Sequence, residues 1–198
     1  MNFKKLQAMQ AKLDEAILAD KAPMTAEERF NKTLVALSVE IAEVANCAEH
    51  FKFWKDNKGK VDEKRFIESA SILTGEEDGV LYDSHLDVYV TQNEAHRLTL
   101  IEECSDALHF ILSLANQMGY DIIVSREIKY TKEEMYLLVQ SSVCLLLVGS
   151  SMHTSNNFDS LVNYFFGYIK ELGITTQELE QAYYDKNKIN YERLENGY

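Results

Sequence analysis

Leu6, Met9, Leu13 and Ile17 recur at spacings of three and four residues, the period of one helix face, and predict a first helix over about residues 3–19. The stretch "ADKAP" breaks it. Thr25 followed by Glu28 is a capping box, in which hydroxyl and carboxylate satisfy each other's backbone amides; it opens a long helix to about residue 52. "KDNKGK" reads as a loop, and "VDEKRFIESASIL" as a further short helix ended by the turn-rich "TGEEDG". "VLYDSHLDVYV" fits neither the helical nor the strand period cleanly. From about 93 to 118 the helical period returns, stopped by Gly119 in the usual position after a helix end. Thr131 with Glu134 caps a helix of about 132–151, "SNNFDSLVNYFFGYIKELG" gives another, and Thr175 with Glu178 caps a last one to about 194. The reading is all-α, a helical bundle in a single domain over residues 1–198.

Composition narrows the function classes. With 46% hydrophobic and 26% charged residues the chain is an ordinary globular one, and one proline and eight glycines leave the long helices few breakers. The formal net charge of −12 argues against a basic surface for long nucleic acid, but leaves room for a small anionic ligand brought in with a divalent cation. Cys47, Cys104 and Cys144 are far apart and show no zinc spacing, so reduced, buried thiols in a reducing cytosol are expected. "MNFKKLQAMQAKLDEA" is too polar for a secretory signal. "MYLLVQSSVCLLLVG", interrupted by Gln140, Ser141 and Ser142, is shorter than the ~20 residues that span a bilayer. No membrane partner and a cytoplasmic location are the expectation.

The candidate chemistry lies in two pairs of acids. Glu40 and Glu43 stand three apart among Leu37, Val39, Ile41, Ala42, Val44 and Ala45. Glu103 and Asp106 repeat the spacing among Leu100, Ile101, Ala107, Leu108, Phe110 and Ile111. Residues three apart share a helix face, so two such helices packed side by side bring four carboxylates together. Like charges in a low-dielectric site raise one another's pKa, and oxygen-only ligands suit hard ions such as Mg²⁺ or Mn²⁺. A single acid pair is usually a solvated face; two pairs, each flanked by apolar residues, favour the metal reading.

Three weaker signals accompany the acids. Lys186, Asn190 and Arg193 fall at i, i+4 and i+7 along one stripe, suited to phosphate oxygens or to a plain solvated tail helix. "HFKFWKDNKGK" carries the sole tryptophan, Trp54, beside Lys52, either closing a helix end or offering a flat wall to a nucleobase. His109 lies one turn beyond Asp106, where a lone helical histidine is more often a core residue than a functional one.

The segments "VEIAE", "FKFW", "EECSDALHFILS" and "YDKNKINYERLENGY" together resemble the all-α dimeric dUTPases, relatives of the MazG-type nucleotide pyrophosphohydrolases, over roughly residues 1–120 and 174–198. The resemblance implies that Glu40, Glu43, Glu103 and Asp106 bind Mg²⁺, with Glu43 orienting or deprotonating the attacking water. It further implies that Lys52, Lys186, Asn190 and Arg193 hold phosphates, that Trp54 and His109 border the uracil, and that Gln10 contacts the base. Asp14 departs from it, since an asparagine is expected nearby, and the stretch 61–97 is longer than expected: a lid, an interface element or a partner's surface. The activity so implied is magnesium-dependent conversion of dUTP to dUMP and pyrophosphate, in a homodimer paired through the apolar helices of 132–171. The alternatives are a broader MazG-like nucleotide pyrophosphatase, and a dUTPase-like interaction protein that binds a regulator.

Overall fold

A computed structural model describes residues 1–19, 21–56, 59–68, 80–148 and 151–197, with the backbone alone at 148 and 151–154. Among these residues lie six helices: α1 (Phe3–Ala19), α2 (Ala26–Ala48), α3 (Gln92–Met118), α4 (Lys132–Val148), α5 (Ser151–Glu171) and α6 (Thr176–Glu195). Three short strands, β1 (Phe66–Glu68), β2 (Leu81–Asp83) and β3 (Val88–Val90), fall between α2 and α3. The fold is all-α with one small antiparallel sheet in the order β1-β2-β3.

α3 is the central element, packed against α2, α6 and α1, while α4 pairs with α5 and rests on α2. Leu37, Ile41 and Val44 of α2 meet Cys104, Leu108, Ile111 and Leu112 of α3 in the core, all fully buried. Burying each large apolar side chain contributes roughly 1.5–3 kcal/mol, so this α2–α3 seam is the firmest part of the molecule and a rigid base for side chains along its edge. Four helices start on Thr-x-x-Glu pairs. At α2 the Thr25 hydroxyl accepts from the Glu28 amide at 3.1 Å, and the Glu28 carboxylate accepts from the Thr25 amide at 2.8 Å. Thr131/Glu134 and Thr175/Glu178 repeat the exchange, and so does Thr91/Glu94 at the start of α3, a pair the periodicity does not pick out.

One boundary differs from expectation. α2 stops at Ala48 rather than near 52, because Glu49 turns into the left-handed region (φ 51°) and its amide caps the Ala45 carbonyl. The expected end of α4 near 151 falls at residues 149–150, which lie outside the described residues.

One element is of a different kind. Phe66–Glu68, expected to be helical, is a strand entered through a turn at Glu63–Arg65, and residues 69–73 of that run together with "TGEEDG" lie outside the described residues. Phe66 is buried while Ile67 and Glu68 are exposed, and three residues are too few to announce a strand period. The run read as ambiguous becomes β2 and β3, paired Leu81↔Val90 and Asp83↔Val88. Phe66 and Leu81 bury themselves with Ala95 of α3 in a second, smaller core. At the root of this segment Gly59 adopts φ +75°, and a Cβ there would overlap the ring of His96.

Cys47 and Cys104 are buried as expected, but Cys144 is exposed, since it faces outward on α4. Val35 and Val39 of α2 and Leu137, Leu145 and Leu147 of α4 are exposed too, 46–65% accessible, which puts much of the apolar character of "YLLVQSSVCLLLVG" on the surface. No helix among the described residues is long and apolar enough to cross a membrane.

Candidate functional site

Glu40 on α2 and Glu103 and Asp106 on α3 each offer one carboxylate oxygen, and these oxygens lie within 4.8 Å of one another. The α2–α3 seam brings them together by placing the two acid pairs at the same level. Burial, then the neighbouring Asp106, push the Glu40 carboxyl up to about 7. Burial and then Asp106, Glu40 and Glu43 push Glu103 up to about 7 as well. Asp106 is raised by burial, against the pull of Lys186. Glu43 stands apart from this trio: it is exposed at the rim and acts on Glu40 and Glu103 through its charge. Three converging carboxylates whose charges are held back by burial and mutual repulsion fit a hard divalent cation, which would relieve both.

Lys186 of α6 reaches into this cluster. Its Nζ donates to Asp106 Oδ2 at 2.7 Å and to Glu102 Oε1 at 3.0 Å. Burial works against its charge, but Asp106 and Glu102 outweigh it and hold the Lys186 pKa above the usual lysine value. Glu102 accepts in turn from Arg65 Nη1 at 3.1 Å, and Arg65 makes a two-point contact with the fully buried Asp83 (3.1 and 2.8 Å). Burial would raise Glu102; Lys186 and Arg65 hold it below the ordinary glutamate range. A row of alternating charge, Asp83–Arg65–Glu102–Lys186–Asp106, thus ties the small sheet to the carboxylate cluster. Asn190 follows one turn on along α6, half-buried; Arg193 is exposed, and its charge lowers the pKa of Asp106.

A second polar group lies one turn along α3. His109 Nδ1 meets Gln10 Oε1 at 2.7 Å, and the imidazole stacks on Tyr183 with ring centroids 4.2 Å apart. The Tyr183 hydroxyl also donates towards Gln10 Oε1, at 3.1 Å. Burial drives the His109 pKa down to about 3, so the ring is neutral. Asp14, singled out as a departure, closes the group: it accepts from Gln10 Nε2 (2.7 Å), Ser113 Oγ (2.7 Å) and Arg29 (2.9 Å). Two buried polar atoms of α3, His109 Nε2 and Ser105 Oγ, have no hydrogen-bond partner among the described residues. Each orphan of this kind costs about 1–3 kcal/mol, which marks the α3–α6 contact as a place where a ligand or water is wanted.

The aromatic segment after α2 sits differently. Lys52 and Lys55 both donate to the buried Glu49, at 2.5 and 2.9 Å, and those bonds hold its carboxyl down at about 2. Trp54 is 63% exposed and leans edge-on against Phe51 and Phe53. The structure therefore brings Gln10 with His109, and Glu40 with Glu103, Asp106 and Lys186, while the exposed Trp54 and the partly buried Lys52 belong to a separate segment. A cavity of about 740 Å³ beside α5, between Phe3, Ile128 and Phe166, includes none of these residues. Its lining is mainly apolar, with Arg126, Glu127 and Lys170 among it.

Sequence reasoning passed over Glu102, Arg65, Ser113 and Tyr183. The doublet Glu102–Glu103 is visible in "LIEECSD", but that its first member faces Lys186 depends on a partner 84 residues away. The sequence model of the family described as dUTPase matches residues 2–73 and 89–198, leaving out 74–88, which contain β2 and the turn after it. No curated protein matches the chain.

Proposed function

The chain belongs to the all-α dUTPase family, and from that premise we propose that it hydrolyses dUTP to dUMP and pyrophosphate at the α2–α3 carboxylates. The observation that carries the reading is the convergence of Glu40, Glu103 and Asp106 with a lysine already reaching between them. Glu40, Glu103 and Asp106, with Glu43 at the rim, would hold a divalent cation of the magnesium or manganese kind. Such a cation, when bound, neutralises phosphate oxygens and makes a water more acidic. Glu43, exposed at the rim, would orient the attacking water and accept its proton as it adds to the α-phosphate. Lys186 exchanges Asp106 for a phosphate oxygen and stabilises charge on the pyrophosphate leaving group. Asn190 and Arg193 extend the same stripe towards the outer phosphates. Lys52, released from Glu49, adds a further phosphate contact, and Trp54 closes over the base as a flat apolar wall that accepts any ring.

A screen of the common nucleoside triphosphates with Mg²⁺, read by pyrophosphate release, tests this directly. Deoxyuridine triphosphate should be turned over faster than the thymidine, cytidine and purine analogues. Equal hydrolysis of the purine triphosphates replaces the reading with a broader MazG-like pyrophosphatase. An inert protein with its acids intact replaces it with an interaction protein that binds a regulator.

We further propose a homodimer paired through α4 and the adjoining face of α2, on the strength of the exposed Val35, Val39, Leu137 and Leu145. Light scattering at micromolar concentration should give twice the 22.8 kDa of the chain, and Leu137→Glu should shift it towards the single-chain mass. A single-chain mass for the unaltered protein would overturn it.

A further inference from the structure

The Gln10–His109 contact can be built in two ways. In one, the Gln10 carbonyl faces His109 Nδ1 and Tyr183, as the distances of 2.7 and 3.1 Å allow. In the other, the amide is reversed: its nitrogen donates to Nδ1, and the Tyr183 hydroxyl donates to the Leu6 carbonyl alone, 3.3 Å away. Either arrangement satisfies the glutamine, the tyrosine and one nitrogen of the histidine. They differ in which histidine nitrogen carries the proton. With the carbonyl facing it, Nδ1 must be the protonated atom, and a neutral imidazole then has a bare lone pair on Nε2. With the amide reversed, Nε2 carries the proton.

What decides between them is the far end of the glutamine. Gln10 Nε2 lies 2.7 Å from Asp14 Oδ1. A carboxylate offers lone pairs only, so an amide oxygen at that distance would be repelled and the amide nitrogen is required. Asp14 is committed to this role from its other side too, by the ion pair with Arg29 at 2.9 Å and the Ser113 hydroxyl at 2.7 Å. We propose that Asp14 is a positioning residue: through Gln10 it fixes the proton of His109 on Nδ1 and leaves Nε2 as a hydrogen-bond acceptor turned towards the ligand. The low basicity of the buried ring supports the neutral state this needs. That Nε2 is fully buried and has no partner among the described residues is the independent sign that the acceptor is meant for something the chain does not itself supply.

The inference deepens the nucleotide reading and, for its choice of ligand, rests on it. A buried acceptor selects a donor. The ring N3–H of a uracil supplies one, whereas the corresponding nitrogen of cytosine is unprotonated and presents a second lone pair. A mismatch of this sort leaves both atoms buried and unsatisfied, which is how hydrogen-bonding sites reject near-isosteres. Thymine carries the same N3–H, so Asp14 sorts uracil from cytosine and leaves the thymine methyl to shape.

The test has one arm that needs no nucleotide. In metal-free protein labelled with ¹⁵N at histidine, long-range ¹H–¹⁵N correlation spectra distinguish the two neutral tautomers, and the His109 signals are those lost in His109→Gln. The unaltered protein should show His109 protonated at Nδ1. Asp14→Asn keeps the shape but can donate to a glutamine oxygen, so it should admit the Nε2-protonated form. Ser113→Ala removes a donor from the same carboxylate yet keeps the acceptor, and should leave the tautomer unchanged. A merely structural role for Asp14 would have the two variants behave alike. The Nε2-protonated form in the unaltered protein, or no change in Asp14→Asn, overturns the proposal. In the second arm, the preference for dUTP over dCTP in kcat/KM should fall about tenfold in Asp14→Asn, the factor one hydrogen bond supplies, and hold in Ser113→Ala. A tautomer that switches while the preference stays fixed overturns the recognition step. If the unaltered protein hydrolyses neither nucleotide, the nucleotide reading fails, and the spectra still decide what Asp14 does.

Discussion

Glu40 and Glu49 lie nine positions apart on the same stretch of chain, and their carboxyls titrate some five pH units apart, at about 7 and about 2. Both are drawn in from solvent. Glu49 has two ammonium groups bonded to it, from Lys52 and Lys55. Glu40 has Asp106 and Glu43 for neighbours, and Lys186 offsets burial and Asp106 only in part. The contrast separates a charge that the fold matches from one that it leaves unmatched. A buried charge that the fold itself matches locks a turn; one that the fold leaves unmatched stores a demand that a ligand can meet.

The largest test of this contrast is to remove the unmatched charge. Glu103→Gln should lower pyrophosphate release by about a hundredfold or more, as losing a group that stabilises charge in a transition state does, with the helical signal in circular dichroism intact. Activity retained in that variant would put the working charge elsewhere.

The next test is pH. Glu40 and Glu103 keep protons in the folded chain up to about pH 7 that an unfolded chain releases near 4.5, so their contribution to metal-free stability is lost as pH rises from 4.5 through 7. Glu49 runs the other way, its contribution being lost as pH falls from 4.5 through 2. Mg²⁺ competes with protons at the cluster, so it should raise the melting temperature more at pH 8 than at pH 5. The double variant Glu40→Gln/Glu103→Gln should abolish that difference. Equal Mg²⁺ shifts at both pH values would contradict the assignment.

The smallest effect is expected at the matched charge. Glu49→Gln leaves Lys52 and Lys55 without their shared partner, and a loss of ~1 kcal/mol lowers the melting temperature of a chain this size by about 2–4 °C. Turnover should change little beside that of Glu103→Gln.

How far each region could be read from the sequence follows the same division. Capping boxes are local, and Thr25/Glu28, Thr131/Glu134 and Thr175/Glu178 announce their helices. The acid pairs are local as well, so Glu40, Glu103 and Asp106 were legible. Glu43 was legible as a residue but not as a rim residue, because a three-residue step turns 60° around the helix and carries it from the seam towards solvent. The end of α2 at Ala48 was not legible, since it depends on Glu49 leaving the helix to gather two lysines that follow it. Phe66–Glu68 escaped for a different reason: a three-residue strand exists only through its partner, fifteen or so positions away. The same holds for Asp14, whose bond to Ser113 spans 99 residues.

Gly59 sets a rule for how this chain can be lengthened or shortened. The backbone there passes flat against His96, whose Nε2 meets the Cys47 carbonyl at 3.2 Å, while Lys60 donates its amide to that same carbonyl at 2.9 Å. The segment that follows is pinned where it leaves the bundle, and no side chain larger than hydrogen fits at the pin. Farther out, Asp83 is tied to the bundle through Arg65 and Glu102, and Ser84 donates its amide and hydroxyl to the Arg65 carbonyl. Beyond Asp83 lies the turn Ser84–Asp87, exposed for most of its length. Loop tips of that kind accept insertions and grafts. A tag, a binding peptide or another hairpin is therefore best spliced between Leu86 and Asp87, past the His85 and Leu86 amides that donate to Asp83 Oδ1, whereas a splice ahead of Asp83 would take that carboxylate with it and unmoor Arg65.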